Sequence, residues 1–241
     1  MFSLFKKEFS SFLNTFIGAI ILGGFVLVNG VFLWVFSGNY NILDNGYASI
    51  DGLFSIAPIT FLFLIPAITM RMFAEERKSG TLELLLTKPL TELQVVLGKY
   101  LAAFALVFVA LLPTLIWVVS VYFWGFPKGN IDLGGTWGSY IGLLFIGGAF
   151  TAIGVWASTL TDNQAAAFLI SVSLSAFFYL GFELIAPFFG KTELIIQQLG
   201  ANAHYLSLSR GVIDSRDVIF FLSVITLFIA LSRLSLERRK W

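Results

Sequence analysis

Cysteine is absent from the 241 residues, histidine occurs once, and Asp, Glu, Lys and Arg together make up only 12% of the chain. Without cysteine there is no disulfide framework of the kind that staples small secreted domains, and no thiol catalysis. The single histidine, His204, has no companion at metal-ligand spacing and reads as a surface residue, so a zinc site is not expected. Charge is also nearly balanced, 15 Lys and Arg against 14 Asp and Glu, which leaves no basic excess to neutralise phosphates and excludes nucleic acid as a partner. A soluble domain carries roughly 25% charged residues, so this chain cannot cover a globule with polar surface. No G-x-S-x-G occurs. Gly190-Lys191-Thr192 imitates the end of a phosphate-binding loop, but the first glycine of that motif would fall at Ile185.

What the chain has instead is apolar mass: 58% hydrophobic and 17% aromatic residues, among them 27 Phe and six Trp. Disorder and collagen are excluded by that composition, and an all-α polytopic membrane protein remains. A hydrocarbon core of ~30 Å at 1.5 Å per residue asks for about 20 mostly apolar residues per helix. Charge-free runs place six spans at about 16–36, 53–70, 100–124, 138–160, 164–186 and 217–235. The last is short, and Asp217 and Arg233 would reach interfacial water from its ends. Pro113 is placed to kink the third. Lysine and arginine hold loops on the cytoplasmic side. With both termini inside, eleven of the 15 lie there and only Lys128, Lys191, Arg210 and Arg216 lie outside, while the acids split evenly.

Between the spans, Phe2, Phe5, Phe9, Phe12, Leu13 and Phe16 form one helical stripe, with Lys6, Lys7 and Glu8 elsewhere on the wheel. Residues 1–15 therefore read as an amphipathic helix lying in the membrane interface, the alternative being a helix that simply continues into the first span. The long polar stretch between spans two and three, RMFAEERKSGTLELLLTKPLTELQVVLGK, carries the most information. Ser79-Gly80 breaks a charged helix, Thr81 to Thr87 forms a short leucine-rich helix, and Pro89 ends it. Thr91 with Gln94 fits a capping box that starts the next helix. A two-turn helix bearing Leu82, Leu84, Leu85 and Leu86 is marginal alone and must bury its apolar side, either on its own spans and lipid or on a soluble partner. The connection from Pro187 to Arg216 is too apolar for a solvated loop and fits short helices dipping back between the spans.

Chemistry inside the bilayer is hard to find. Glu183 and Asp162 sit at span ends and read as water-exposed boundary residues, a poor relay for a proton-coupled carrier. Small-residue pairs, Ala19 with Gly23, Gly148 with Ala152 and Gly154 with Ser158, allow close helix approach but occur in any bundle. No composition shift or repeat divides the chain, which reads as one domain over 1–241.

The stretch AEERKSGTLELLLTKPLTELQVVLGKY, residues 74–100, resembles the cytoplasmic signature of type-2 ABC transporter permeases, and the six spans, interfacial helix and apolar outer connection fit the same architecture. More narrowly, AHYLSLSRGVIDSRDVIFFLSV, residues 203–224, is similar to the permease subunit of the gliding-motility-associated ABC transporter of Bacteroidetes. The resemblance implies an inner-membrane permease domain with no ATPase site of its own. It would bind no cofactor, pair with a second permease copy or a homologous subunit among membrane lipids, and work with a separate ABC ATPase that holds ATP and Mg. It also implies that Gly80, Thr81, Leu82, Glu83, Leu84, Leu85, Leu86 and Pro89 contact that ATPase, with Glu75, Glu76 and Arg77 beside them. The rival reading is a membrane anchor of a motility or secretion complex that moves no solute.

The topology is testable because the chain has no native thiol. A membrane-impermeant maleimide added to intact cells is expected to label Ser37→Cys and Lys191→Cys but not Ser79→Cys; the opposite pattern overturns the orientation.

Overall fold

The computed structural model of the protein describes residues 1–86 and 90–238, and the side chains of all of these except 84–86. Among the described residues every regular element is a helix. Six helical runs are long and apolar enough to cross a membrane: Phe16–Trp34, Asp51–Lys78, Glu92–Trp124, Leu133–Leu160, Gln164–Gln197 and Ser215–Glu237.

α1 (Phe2–Leu13) is a separate element from α2 (Phe16–Trp34), because Thr15 is extended at φ −95°, ψ 135°. Its faces differ from the simple stripe. Leu4 is buried against Gly98, Phe5, Phe9 and Phe12 are half-buried, and Phe2 and Phe16 are exposed. The second run divides into α3 (Asp51–Thr69) and α4 (Arg71–Lys78). At the division the Ser158 hydroxyl accepts from the Phe73 and Ala74 amides at 2.9 and 3.0 Å and donates to the Met70 carbonyl at 3.1 Å. Backbone groups freed by the break are thus satisfied inside the protein, as a low-dielectric setting requires.

After α5 (Thr81–Leu86), the third run opens as α6 (Glu92–Leu111). The Thr91 hydroxyl accepts from the Gln94 amide at 3.3 Å and the Gln94 side chain accepts from the Thr91 amide at 3.1 Å, the reciprocal box expected from the sequence. At Pro113 the helix tightens into a 3₁₀ turn, Leu112–Thr114, and resumes as α7 (Leu115–Trp124). α8 (Leu133–Leu160) is the axis of the bundle: 78% of its most apolar stretch is buried, against 22% for the first, fifth and sixth runs. The fifth run comprises α9 (Gln164–Ala176), one π turn over Phe177–Gly181, α10 (Phe182–Ile185), a 3₁₀ segment and α11 (Glu193–Gln197). α12 (Ala201–Leu208) then leads to α13 (Ser215–Glu237).

α3, α8 and α9 come together closely at Gly154, where an added Cβ would collide with the Thr69 side chain and lie 3.0 Å from Ser171 Oγ. Around Gly23, by contrast, no atom lies within 4 Å of such a Cβ. The Gly154–Ser158 pair therefore marks a real contact and the Ala19–Gly23 pair marks none within the chain. Gly154→Ala is expected to destabilise the detergent-solubilised protein by about 1–3 kcal/mol through overpacking. Gly23→Ala leaves stability level or slightly raised, since it only adds helix propensity. Equal melting temperatures for the two variants would contradict this packing.

Candidate functional site

At one end of the bundle α1, α4 and α6 converge on Lys99. α6 begins at Glu92, so Lys99 sits seven residues into it, about 10 Å from the helix start at 1.5 Å per residue. Its side chain has only 1% exposure. The ammonium lies 2.6 Å from the Met72 carbonyl, 3.0 Å from Glu8 Oε1 and 3.0 Å from Glu76 Oε1, and it stands 5.1 Å from the centre of the Phe73 ring. Three protons meet three acceptors, which is how a buried cation is made tolerable. One lysine thereby ties the N-terminal helix to the helix that precedes α5.

A cleft of about 440 Å³ opens over this cluster, lined by Lys7, Arg71, Glu75 and Thr81 together with the apolar Phe12 and Ile68. Lys7 adds a longer contact to Glu76, 3.8 Å, from a largely exposed side chain. Glu76 Oε2 is buried without a hydrogen-bond partner.

The residues singled out from the sequence take distinct places. Glu75 is exposed and Glu76 belongs to the Lys99 cluster. Arg77 turns away from the cleft, its Nη1 donating to the Thr159 carbonyl at 2.8 Å at the end of α8. Gly80, at φ +72°, makes a left-handed turn that an L side chain would strain, and so sets α5 at an angle to α4. The Thr81 hydroxyl pairs with that of Ser79 at 2.9 Å, and Glu83 is exposed. Leu82 is buried at 5% exposure and belongs to the core cluster, the first of the two alternatives for this leucine. α5 itself spans Thr81–Leu86, while the side chains of Leu84, Leu85 and Leu86, and Thr87 and Pro89 altogether, lie outside the described residues.

Sequence reasoning placed Glu8 on the polar side of the N-terminal helix and Lys99 at the end of the polar stretch between spans two and three, and missed their pairing. The capping box held the signal, since a helix starting at Thr91 already puts Lys99 two turns deep behind Val95, Val96 and Gly98. The reading of His204 as a surface residue is likewise corrected: its Nδ1 lies 2.7 Å from Asp217 Oδ1 and its Nε2 2.8 Å from the Gln198 carbonyl. Asp217, expected to reach interfacial water, is buried at 5% exposure for the same reason. Glu183 is exposed as expected, and accepts from Asn202 Nδ2 at 2.8 Å.

Removing the Lys99 charge strands two carboxylates. Lys99→Met is expected to cost about 3–5 kcal/mol of stability, whereas Lys99→Met combined with Glu8→Gln and Glu76→Gln recovers most of it. Thermal unfolding in detergent checks both. A triple variant no better than the single one would mean that the cluster does not act as a unit.

Comparison with curated proteins finds no match. The family model described as ABC-2 family transporter protein matches residues 4–241, and thus takes in the Lys99 cluster, the α4–α5 turn and all six apolar helical runs. On that match the chain belongs to the ABC-2 transporter family and is a multi-pass membrane permease component.

Proposed function

We propose that this chain is the permease subunit of an ATP-driven exporter whose α4–α5 end faces the cytoplasm and receives a separate ABC ATPase. The observation that carries the reading is the Lys99 cluster, which joins α1, α4 and α6 directly behind α5. A load applied to α5 passes through the Gly80 turn into α4, and α4 is fastened to both the N-terminal helix and the third span. A leucine-rich helix of six residues is too short to hold itself and is served by such a rigid base.

In this reading ATP and Mg belong to the ATPase, and this chain supplies the lever. ATP-driven closure of two ATPase subunits presses on α5 in each of two permease copies and tilts the first, second and fifth spans. The partner must bind the inward and outward arrangements with different free energies for its closure to move anything. The sparse burial of the first, fifth and sixth runs, 22% each, supports a second permease copy and lipid as the covering partners. A bacterial inner membrane and a role in gliding motility are proposed on the resemblance of residues 203–224 alone.

The test replaces two of the three leucines beyond Leu82. Leu84→Asp with Leu85→Asp is expected to cut recovery of the co-expressed ATPase at least ~10-fold, the effect of roughly 1.4 kcal/mol in binding. Membrane insertion of the chain itself stays normal. Full recovery of the ATPase with this variant sinks the docking assignment, and ATP hydrolysis by the purified permease alone sinks the whole reading.

A further inference from the structure

The walls of the 440 Å³ cleft carry polar groups that the Lys99 cluster does not use. Their charged side chains are Lys7 and Glu8 of α1, Arg71, Glu75 and Glu76 of α4, and Lys99 of α6, so three cations face three carboxylates and the formal charges cancel. Lys99 donates to Met72, Glu8 and Glu76 Oε1. Arg71 and Glu75 form no ion pair among the described residues, and Lys7 makes only the long contacts of 3.6 Å to Glu8 and 3.8 Å to Glu76. Glu76 Oε2 is a buried acceptor with no donor, which a native structure rarely tolerates. The cleft therefore offers a cationic pair, Arg71 with Lys7, next to carboxylate oxygens that call for N–H groups.

An apolar groove follows the cleft along two of the same helices. Thr15, at the start of α2, and Ile68, in the last turn of α3, line the cleft. Farther along, a groove of about 320 Å³ runs between α2 and α3, from Ile20 and Ala67 to Val28 and Thr60. Ala67 adjoins Ile68 in sequence, and Thr15 to Ile20 is about 7.5 Å of helix, so the two concavities lie end to end. Ile20 to Val28 is about 12 Å of helix, close to the ~15 Å that one leaflet contributes to a ~30 Å hydrocarbon core. Ile20 and Phe63 on its rim are exposed, which opens the groove toward lipid, and nothing lies within 4 Å of a Cβ added at Gly24 in its wall.

We propose that the cleft and the groove together bind one phospholipid whose headgroup carries a primary ammonium, the chemistry of phosphatidylethanolamine. Its phosphate lies on Arg71, whose planar fork matches phosphate oxygens, with Lys7 beside it. Its ammonium donates to Glu76 Oε2 and to the Glu75 carboxylate, and one acyl chain follows the groove between α2 and α3. Other common headgroups fit less well. A choline nitrogen has no hydrogen to donate, so Glu76 Oε2 would stay unpaired. A phosphatidylglycerol brings net negative charge to a cleft whose own charges cancel. A lipid held in this way bridges α1 to α4 beside Lys99 and fills the seam between α2 and α3, so it stiffens the end of the bundle that bears α5.

The test titrates the full-length, delipidated chain in detergent with phosphatidylethanolamine, phosphatidylcholine and phosphatidylglycerol of identical acyl chains, and with soluble phosphoethanolamine. Native mass spectrometry reads the bound species. One phosphatidylethanolamine per chain is expected, held at least ~10-fold more tightly than either other lipid and than phosphoethanolamine. Arg71→Gln, which removes the phosphate partner, and Gly24→Leu, which fills the groove, are each expected to weaken it at least ~10-fold. Gly24→Leu leaves the melting temperature of the lipid-free chain level or higher, because the new side chain meets no neighbour at its Cβ and favours helix, so its loss of binding is not loss of fold. Equal affinity for the three lipids overturns the proposal, as does phosphoethanolamine binding as tightly as the lipid, or an affinity unchanged in either variant. The ATPase takes no part in these readouts, so their failure leaves the docking reading untouched, and failure of docking leaves them untouched.

Discussion

A lysine ammonium with no access to water must find acceptors for all of its protons, and at Lys99 that requirement organises one end of the molecule. The acceptors come from three places far apart in sequence: Glu8 on α1, the Met72 carbonyl and Glu76 on α4. None could be moved away without stranding a charge in a medium where that costs several kcal/mol. The position of α1 is therefore dictated by a polar contact as well as by its phenylalanines. That contact explains why Glu8 sits on the protein-facing side of a helix whose remaining charges, Lys6 and Lys7, are exposed. The same cluster gives α4 a fixed base and leaves the Gly80 turn as the place where α5 changes direction.

The rest of the bundle follows a related rule, that backbone groups released by a helix break must be caught by side chains. Ser158 does this at the α3–α4 division and can reach it because Gly154, one turn earlier on α8, admits Thr69 so closely. Asn29, fully buried within the unbroken α2, donates to Thr60 Oγ1 and so joins α2 to α3. Each of these polar side chains sits in a helix that is otherwise apolar. Each marks a contact whose partner is fixed by hydrogen bonding, while the surrounding leucines and phenylalanines would accept several registers.

Hydropathy made the spans legible because it depends on length and composition alone, and local chemistry made the Thr91 cap and the Gly80 turn legible because their partners lie within four residues. Contacts across long sequence distances were not. Glu8 and Lys99 are 91 residues apart, and nothing in either neighbourhood names the other. His204 was misread for a related reason: its partner Asp217 lies across a loop, on the next helix, and a lone histidine in a connection resembles any surface residue. For Leu82 the sequence left two covers open, its own bundle or a partner, because local pattern does not say how the turn before α5 directs the chain. The family resemblance rested on residues 74–100, and these include two members of the buried cluster, Glu76 and Lys99.

The two ends of the bundle are joined through α8 and α13. The Thr159 carbonyl, at the end of α8 where helical carbonyls lack intrahelical partners, accepts from Arg77 of α4 and from Ser235 of α13. α13 packs along α8 through Phe221 stacked on Phe145 and Phe228 tilted against Trp156, and its far end is held by Asp217 to α12. A displacement of α4 must therefore either carry the end of α8 with it or give up the Arg77 bond. If α8 moves, α13 is drawn along by aromatic contacts that are close-packed rather than elastic. The last span cannot move freely while Asp217 is pinned, so the His204 contact bears on what a push at α4 can accomplish. In that sense the two polar clusters, the Lys99 site and the His204–Asp217 pair, are opposite fixings of one stiff pair of helices, and the motion available to the bundle is whatever remains when both hold.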